Sequence, residues 1–161
     1  MKTSIIPATG KTMLITSIFA LSALNYGFKA EMSEQEWLNW SNKCLSTSFN
    51  PLTEPNLKKW EINLTADYFL RLRKTYQQGK QEYYSFNIKR FTNINYIAGD
   101  ALTDTLRIKT QTDDIIVQTY NDPEGDVDSM ATMLNIPLKK TAPERLDSLK
   151  QALMFLKAKG L

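Results

Sequence analysis

The stretch DYFLRLRKTYQQGKQEYYSFNIKRF, residues 67–91, decides how this chain is read, because two runs of strand-forming residues meet at the short connection QQGK. A three-residue loop of Gln77, Gln78 and Gly79, with the glycine in the left-handed conformation, sets Tyr76 against Lys80. Leu72, Leu70 and Tyr68 then face Tyr84, Phe86 and Ile88, and only Phe69 and Tyr83 among the large apolar residues fall on the other face. A two-residue loop at Gln78-Gly79 mixes the two faces and is rejected, since a slip of one residue sends every side chain to the opposite side of the sheet.

The outer face of this hairpin carries the candidate binding residues. The register aligns Phe69, Arg71 and Arg73 with Asn87, Ser85 and Tyr83, and adds Lys89 beside Asp67. Arginine interleaved with aromatic rings on a solvated sheet suits an acidic partner or lipid headgroups, because a guanidinium forks its hydrogen bonds and also stacks on rings. The competing expectation is an ordinary charged face on which Arg73 lies against Tyr83 across the strands.

Working outward, Trp60, Ile62 and Leu64 alternate with Lys59, Glu61 and Asn63, the period of a half-buried strand. Before it, Ser33 and Glu36 have capping-box spacing, and Trp37, Trp40 and Cys44 recur at helical intervals, so a short amphipathic helix is expected to cover the sheet. The polar stretch STSFNPLTEPN separates the two. Downstream, NINYIAG reads as a strand, Gly99-Asp100 as a turn, and DTLRIKT with DIIVQTY as a second hairpin around Thr112-Asp113. The connections are too short for crossover helices, so the sheet is antiparallel. The last segment has a second box, Thr141 with Glu144, then Pro143, leucines at 146, 149, 153 and 156, and Gly160 as terminator. The expected fold is α+β: an antiparallel curved sheet or open barrel packed by a C-terminal amphipathic helix, with a short N-terminal helix. This layout is similar to that of pleckstrin-like and several lipid-carrier folds, an analogy of architecture that carries no function.

The acidic stretch NDPEGDVDSM, residues 121–130, invites comparison with a calcium loop. With Asp122 first, Glu124 and Asp126 fit, but Val127 stands where glycine is needed and Met133 where the bidentate glutamate is needed. A turn over Asp122-Pro123-Glu124-Gly125 accounts for more residues. Asp126 is then expected to cap a short helix that buries Val127, Met130, Met133 and Leu134 before Pro137 stops it. An irregular calcium site of Asp122, Glu124, Asp126 and Asp128 is the alternative; otherwise no metal is expected.

Composition narrows the chemistry. The 161 residues, 42% hydrophobic and 11% aromatic, suffice for one ordinary core. The chain has no histidine and a single cysteine, Cys44, which excludes Ser-His-Asp and Cys-His catalysis and zinc held by those ligands. No enzyme activity and no cofactor are expected. Residues 1–30, with Lys2, Lys11 and an uncharged run from Thr12 to Phe28, read as a signal peptide or an uncleaved anchor. Residues 31–56 are assigned to the short helix and linker, and residues 57–161 to a single α+β domain. On this reading the domain is exported, periplasmic or extracellular, and meets a membrane only through an uncleaved N-terminal segment. Lys2, Lys11 and Lys29 are three of the 20 basic residues, so what remains balances the 17 acidic ones. A neutral body gives no support for nucleic-acid binding. The expected function is a non-catalytic domain that engages a protein partner. A carrier of an apolar or lipid ligand held between sheet and C-terminal helix is one alternative, and an inhibitor or immunity-type protein of an exported enzyme is another.

Overall fold

The computed structural model describes residues 32–99 and 103–160; the expected signal or anchor segment lies outside the described residues. The architecture is α+β. Helix α1 (Glu34–Ser48) is followed by strands β1 (Leu57–Leu64), β2 (Phe69–Tyr76), β3 (Gln81–Asn87), β4 (Phe91–Ala98), β5 (Thr103–Thr110), β6 (Ile115–Tyr120), β7 (Asp128–Ala131) and β8 (Met133–Lys139), then by helix α2 (Pro143–Lys159).

All pairings are antiparallel, and they form two sheets in place of the single curved sheet expected from the sequence, with no closed barrel: a five-stranded sheet in the order β1-β2-β3-β6-β7 and a three-stranded sheet in the order β4-β5-β8. Three chain segments pass from one sheet to the other. Between β3 and β4 the crossing is a single 3-10 turn, Ile88–Arg90, in which the Asn87 side chain accepts from Lys89 N–H and Tyr68 O accepts from Ile88 N–H. The pairs Ser85↔Ile116 and Phe91↔Thr110 keep one hairpin offset across this crossing, so β3-β4 and β5-β6 are two long strands bent together. The second expected hairpin is thereby corrected: β5 and β6 do not pair with each other, and residues 111–114 are a bend within a long strand. The bend is pinned where Thr110 N–H donates to Thr132 O.

The β2-β3 hairpin has the register that parity predicts. Leu72 lies opposite Tyr84, Leu70 opposite Phe86, Tyr76 N–H donates to Lys80 O, and Gly79 has φ +91°. Leu70, Leu72 and Phe86, with Ile62 and Leu64 of β1, form the buried face of the sheet.

Helix α1 starts at the expected capping box: the Ser33 hydroxyl accepts from Glu36 N–H and the Glu36 carboxylate accepts from Ser33 N–H. This helix is more than an appendage to the sheet. Cys44, Leu45 and Phe49 are fully buried, Phe49 packs 4.5 Å from Trp60, and Trp37 stands edge-on to Trp40 and against Phe155 of α2. The Asn42 side chain donates to Leu64 O and accepts from Leu64 N–H, which closes the end of edge strand β1 as a neighbouring strand would.

Helix α2 buries Leu146, Leu149, Leu153 and Leu156, each contributing about 2 kcal/mol of transfer free energy, and ends at Gly160. Its predicted box is not formed. Ala142 occupies the cap position with Pro143 after it, while the Thr141 hydroxyl donates to Lys139 O, so proline's fixed φ starts this helix without a side-chain cap.

The chain after Asp126 also departs from expectation. Residues 128–139 are β7 and β8, not a helix. Leu134, Ile136 and Leu138 alternate into the core while Val127, Met130 and Met133 are exposed. The turn before them is as expected: Gly125 N–H donates to Asp122 O, with Gly125 at φ +106°.

Candidate functional site

The outer face of the five-stranded sheet is built from the alternate residues that the core leaves out. Because the ladder runs unbroken across the sheet, one transverse row contains Glu61, Arg73, Tyr83, Gln118 and Asp128, one residue from each strand. A second row contains Asn63, Arg71, Ser85, Ile116 and Met130.

Arg73 sits at the centre of this surface. Its guanidinium lies 5.7 Å over the Tyr83 ring, and that of Arg71 lies 5.8 Å over the Phe69 ring. Both arginines are exposed, and among the described residues neither is within ion-pair distance of a carboxylate. Three depressions surround Arg73. The largest, about 610 Å³, is also lined by Gln81, Glu82, Tyr83, Gln118, Tyr120, Asn121 and Asp126. One of about 160 Å³ adds Lys59, Trp60, Glu61 and Thr75, and one of about 120 Å³ adds Asn63 and Arg71. Together they form a trough running across the strands.

The fixed polar groups of the trough are distinct from its free ones. Gln118 is committed: its amide donates to Asp128 at 3.3 Å and its carbonyl accepts from the Tyr120 hydroxyl at 3.1 Å. Glu82 turns to the inner side, toward Lys74 and Lys80. Arg73, the Tyr83 hydroxyl and the side-chain amides of Gln81 and Asn121 make no hydrogen bond within the described residues and are available to a ligand.

The sequence-predicted residues therefore divide. Phe69, Arg71, Arg73 and Tyr83 share the outer face. Lys89 does not join them: its ammonium lies 5.5 Å over the Tyr68 ring, beside the C-terminal end of α2. The 3-10 turn rotates position 89 off the outer face, and strand parity alone gave no sign of that turn. Sequence reasoning missed the far wall of the trough, Gln118, Tyr120 and Asn121, because it paired β6 with β5 and not with β3.

The acidic stretch forms the rim. Asp122 binds Lys80 at 2.8 Å and accepts from Glu124 N–H, which together hold its carboxyl below the usual range, the Lys80 hydrogen bond being the larger cause. Asp126, expected as a helix cap, accepts from Asp122 N–H, and Asp128 takes the Gln118 amide. No three of the described His, Cys, Asp and Glu residues cluster closely enough to hold a metal ion.

A second polar cluster lies on the inner side of the same sheet end. Lys74, whose side chain is 8% exposed, binds Glu54 and stands 3.6 Å from Glu82. The Tyr76 hydroxyl donates to Glu54 and the Tyr84 hydroxyl to Glu82, each at 3.1 Å. Burial, reinforced by these carboxylates, pushes both phenols well above their ordinary value. The cluster fastens residues 51–56 to β2 and is occupied by its own members.

Comparison of the chain with known protein families, characterised proteins and solved structures finds no significant match.

Proposed function

We propose that this is an exported, non-catalytic interaction domain that engages a protein partner through the outer face of its five-stranded sheet. The observation that carries the reading is Arg73: exposed, oriented by Tyr83, unpaired, and shared by all three depressions of the trough. A side chain left without an internal partner at the centre of a concave surface is a natural anchor for another molecule, and arginine and tyrosine are enriched at such anchors. Export is supported by the character of residues 1–30, and the absence of catalysis by the lack of histidine. An apolar carrier is the weaker reading, because Leu70, Leu72 and Phe86 of the sheet and Leu149, Leu153 and Leu156 of α2 are all at most 1% exposed.

The test is capture from the native envelope fraction with the wild-type protein and with the double variant Arg71→Glu/Arg73→Glu. Exposed substitutions shift stability by only about 0.5 kcal/mol, so the variant is expected to remain folded and to lose the captured protein. Unchanged capture by the folded variant removes this face from consideration.

A further inference from the structure

We infer that the trough takes an extended acidic peptide segment of the partner, with one carboxylate forked on Arg73; this rests on the proposed function and names the chemistry of its ligand. Three observations select that chemistry. The Arg73 guanidinium lies over the Tyr83 ring, 5.7 Å from its centroid, so a ligand that approaches this ring meets a cation first. Arg73 has no carboxylate within ion-pair distance among the described residues, so its forked N–H groups are free to receive a carboxylate through two parallel hydrogen bonds. Arg71, 5.8 Å over the Phe69 ring and in the adjoining row, offers a second unpaired guanidinium two residues along the same strand.

The second observation is the kind of free polar group around Arg73. The amides of Gln81 and Asn121 each present a donor and an acceptor, and the Tyr83 hydroxyl does both. An inorganic anion at neutral pH uses donors almost alone, whereas a peptide backbone alternates N–H and C=O groups and satisfies both kinds. The third observation is dimension. A row across five strands spans about 19 Å, which about six extended residues cover. The charge distribution orients the ligand: Arg71, Arg73 and Lys59 outnumber Glu61 toward β1 and β2, while Asp126 and Asp128 lie toward β6 and β7. The acidic end of the segment therefore lies over β2, away from the acidic turn.

The experiment is fluorescence anisotropy with the purified protein and three labelled probes: a six-residue peptide with two central glutamates in a serine-alanine background, the same peptide with lysines for the glutamates, and trigalacturonate. Saturable binding of the acidic peptide is expected, at least about tenfold tighter than either other probe. Arg73→Gln and Arg73→Lys are both expected to weaken it about tenfold, since lysine keeps the charge but loses the fork. Lys89→Gln, on the far side of the sheet end, is expected to leave it unchanged. Equal binding of the lysine peptide or the uronate, no binding of the acidic peptide, or full binding by Arg73→Lys overturns the inference. If the envelope partner is captured in an Arg73-dependent way through a segment without acidic residues, the inference falls and the functional reading stands. Capture indifferent to Arg71 and Arg73 removes both.

Discussion

Replacing Lys74 by methionine isolates the energetics of the inner polar cluster. Methionine keeps an apolar stem of similar length and removes the ammonium, which binds Glu54, stands 3.6 Å from Glu82 and lies 5.6 Å over the Tyr84 ring. Breaking a buried pair by deleting one partner costs about 3–5 kcal/mol, because the other charge stays desolvated and unpaired. Here the two carboxylates retain 21% and 17% exposure, the hydroxyls of Tyr76 and Tyr84 still donate to them, and Glu82 keeps Lys80 at 3.5 Å. That places the loss at the lower end, about 3 kcal/mol. In urea, with a slope of about 1.5 kcal/mol/M, the midpoint is expected to fall by about 2 M at an unchanged slope. The triple variant Lys74→Met/Glu54→Gln/Glu82→Gln, which removes the stranded charges, is expected to recover most of the loss. A single-variant loss under about 1 kcal/mol, or a triple variant no more stable than the single one, refutes the argument that the ammonium holds two otherwise unfavourable carboxylates in place.

Leu149→Ala and Leu153→Ala, at positions with at most 1% exposure, are each expected to lose about 2–5 kcal/mol in the same assay; a loss under about 1 kcal/mol would mean that α2 does not seal the core. Gly125→Ala meets no neighbouring atom, so its cost is that of a left-handed backbone alone, about 1 kcal/mol, measured by thermal unfolding. Asp104 is held below the usual carboxylate range, chiefly by the hydrogen bond from the Lys140 ammonium at 2.9 Å. A depressed folded value stabilises the protein above the unfolded value of about 3.9 and is lost as pH falls below it. Lys140→Met is therefore expected to lower Tm at pH 7 and to flatten its fall as pH drops below about 4; superimposable acid limbs would show that the pair does not contribute.

The parts of the fold that were legible in the sequence are those whose signal is local. Parity fixed β2 against β3, since one register alone puts Leu70, Leu72, Tyr84 and Phe86 on one side, and the outer-face arginines followed from it. The errors arose where a partner distant in the chain decided. Thr112-Asp113 has turn chemistry, yet β6 joins β3 because the long β3-β4 strand supplies its ladder. Val127, Met130, Met133 and Leu134 imitate a helical stripe. The alternation of Leu134, Ile136 and Leu138 with Asn135, Pro137 and Lys139 was the truer signal, and Pro137 obscured it. As the outer strand of its sheet, β8 meets among the described residues only the isolated Phe49↔Leu138 bridge beyond it, so a residue without an N–H is tolerated there, and Pro137 O still accepts from Asn50 N–H. The trough was half legible for the same reason: its near wall belongs to one hairpin and its far wall to a strand about 35 residues later.

The three crossings between the sheets have a kinetic consequence. Since β3-β4, β5-β6 and β7-β8 each contribute to both layers, neither sheet is a separable piece of chain, and loosening one pulls on the same three segments that hold the other. The β3-β6 and β5-β8 ladders join residues 24 to 39 positions apart, and each continues a shorter hairpin, β4-β5 or β6-β7, from which it can zip outward. A chain wired in this way is expected to open as one cooperative unit, since neither sheet is a half-molecule that can come apart while the other stays intact.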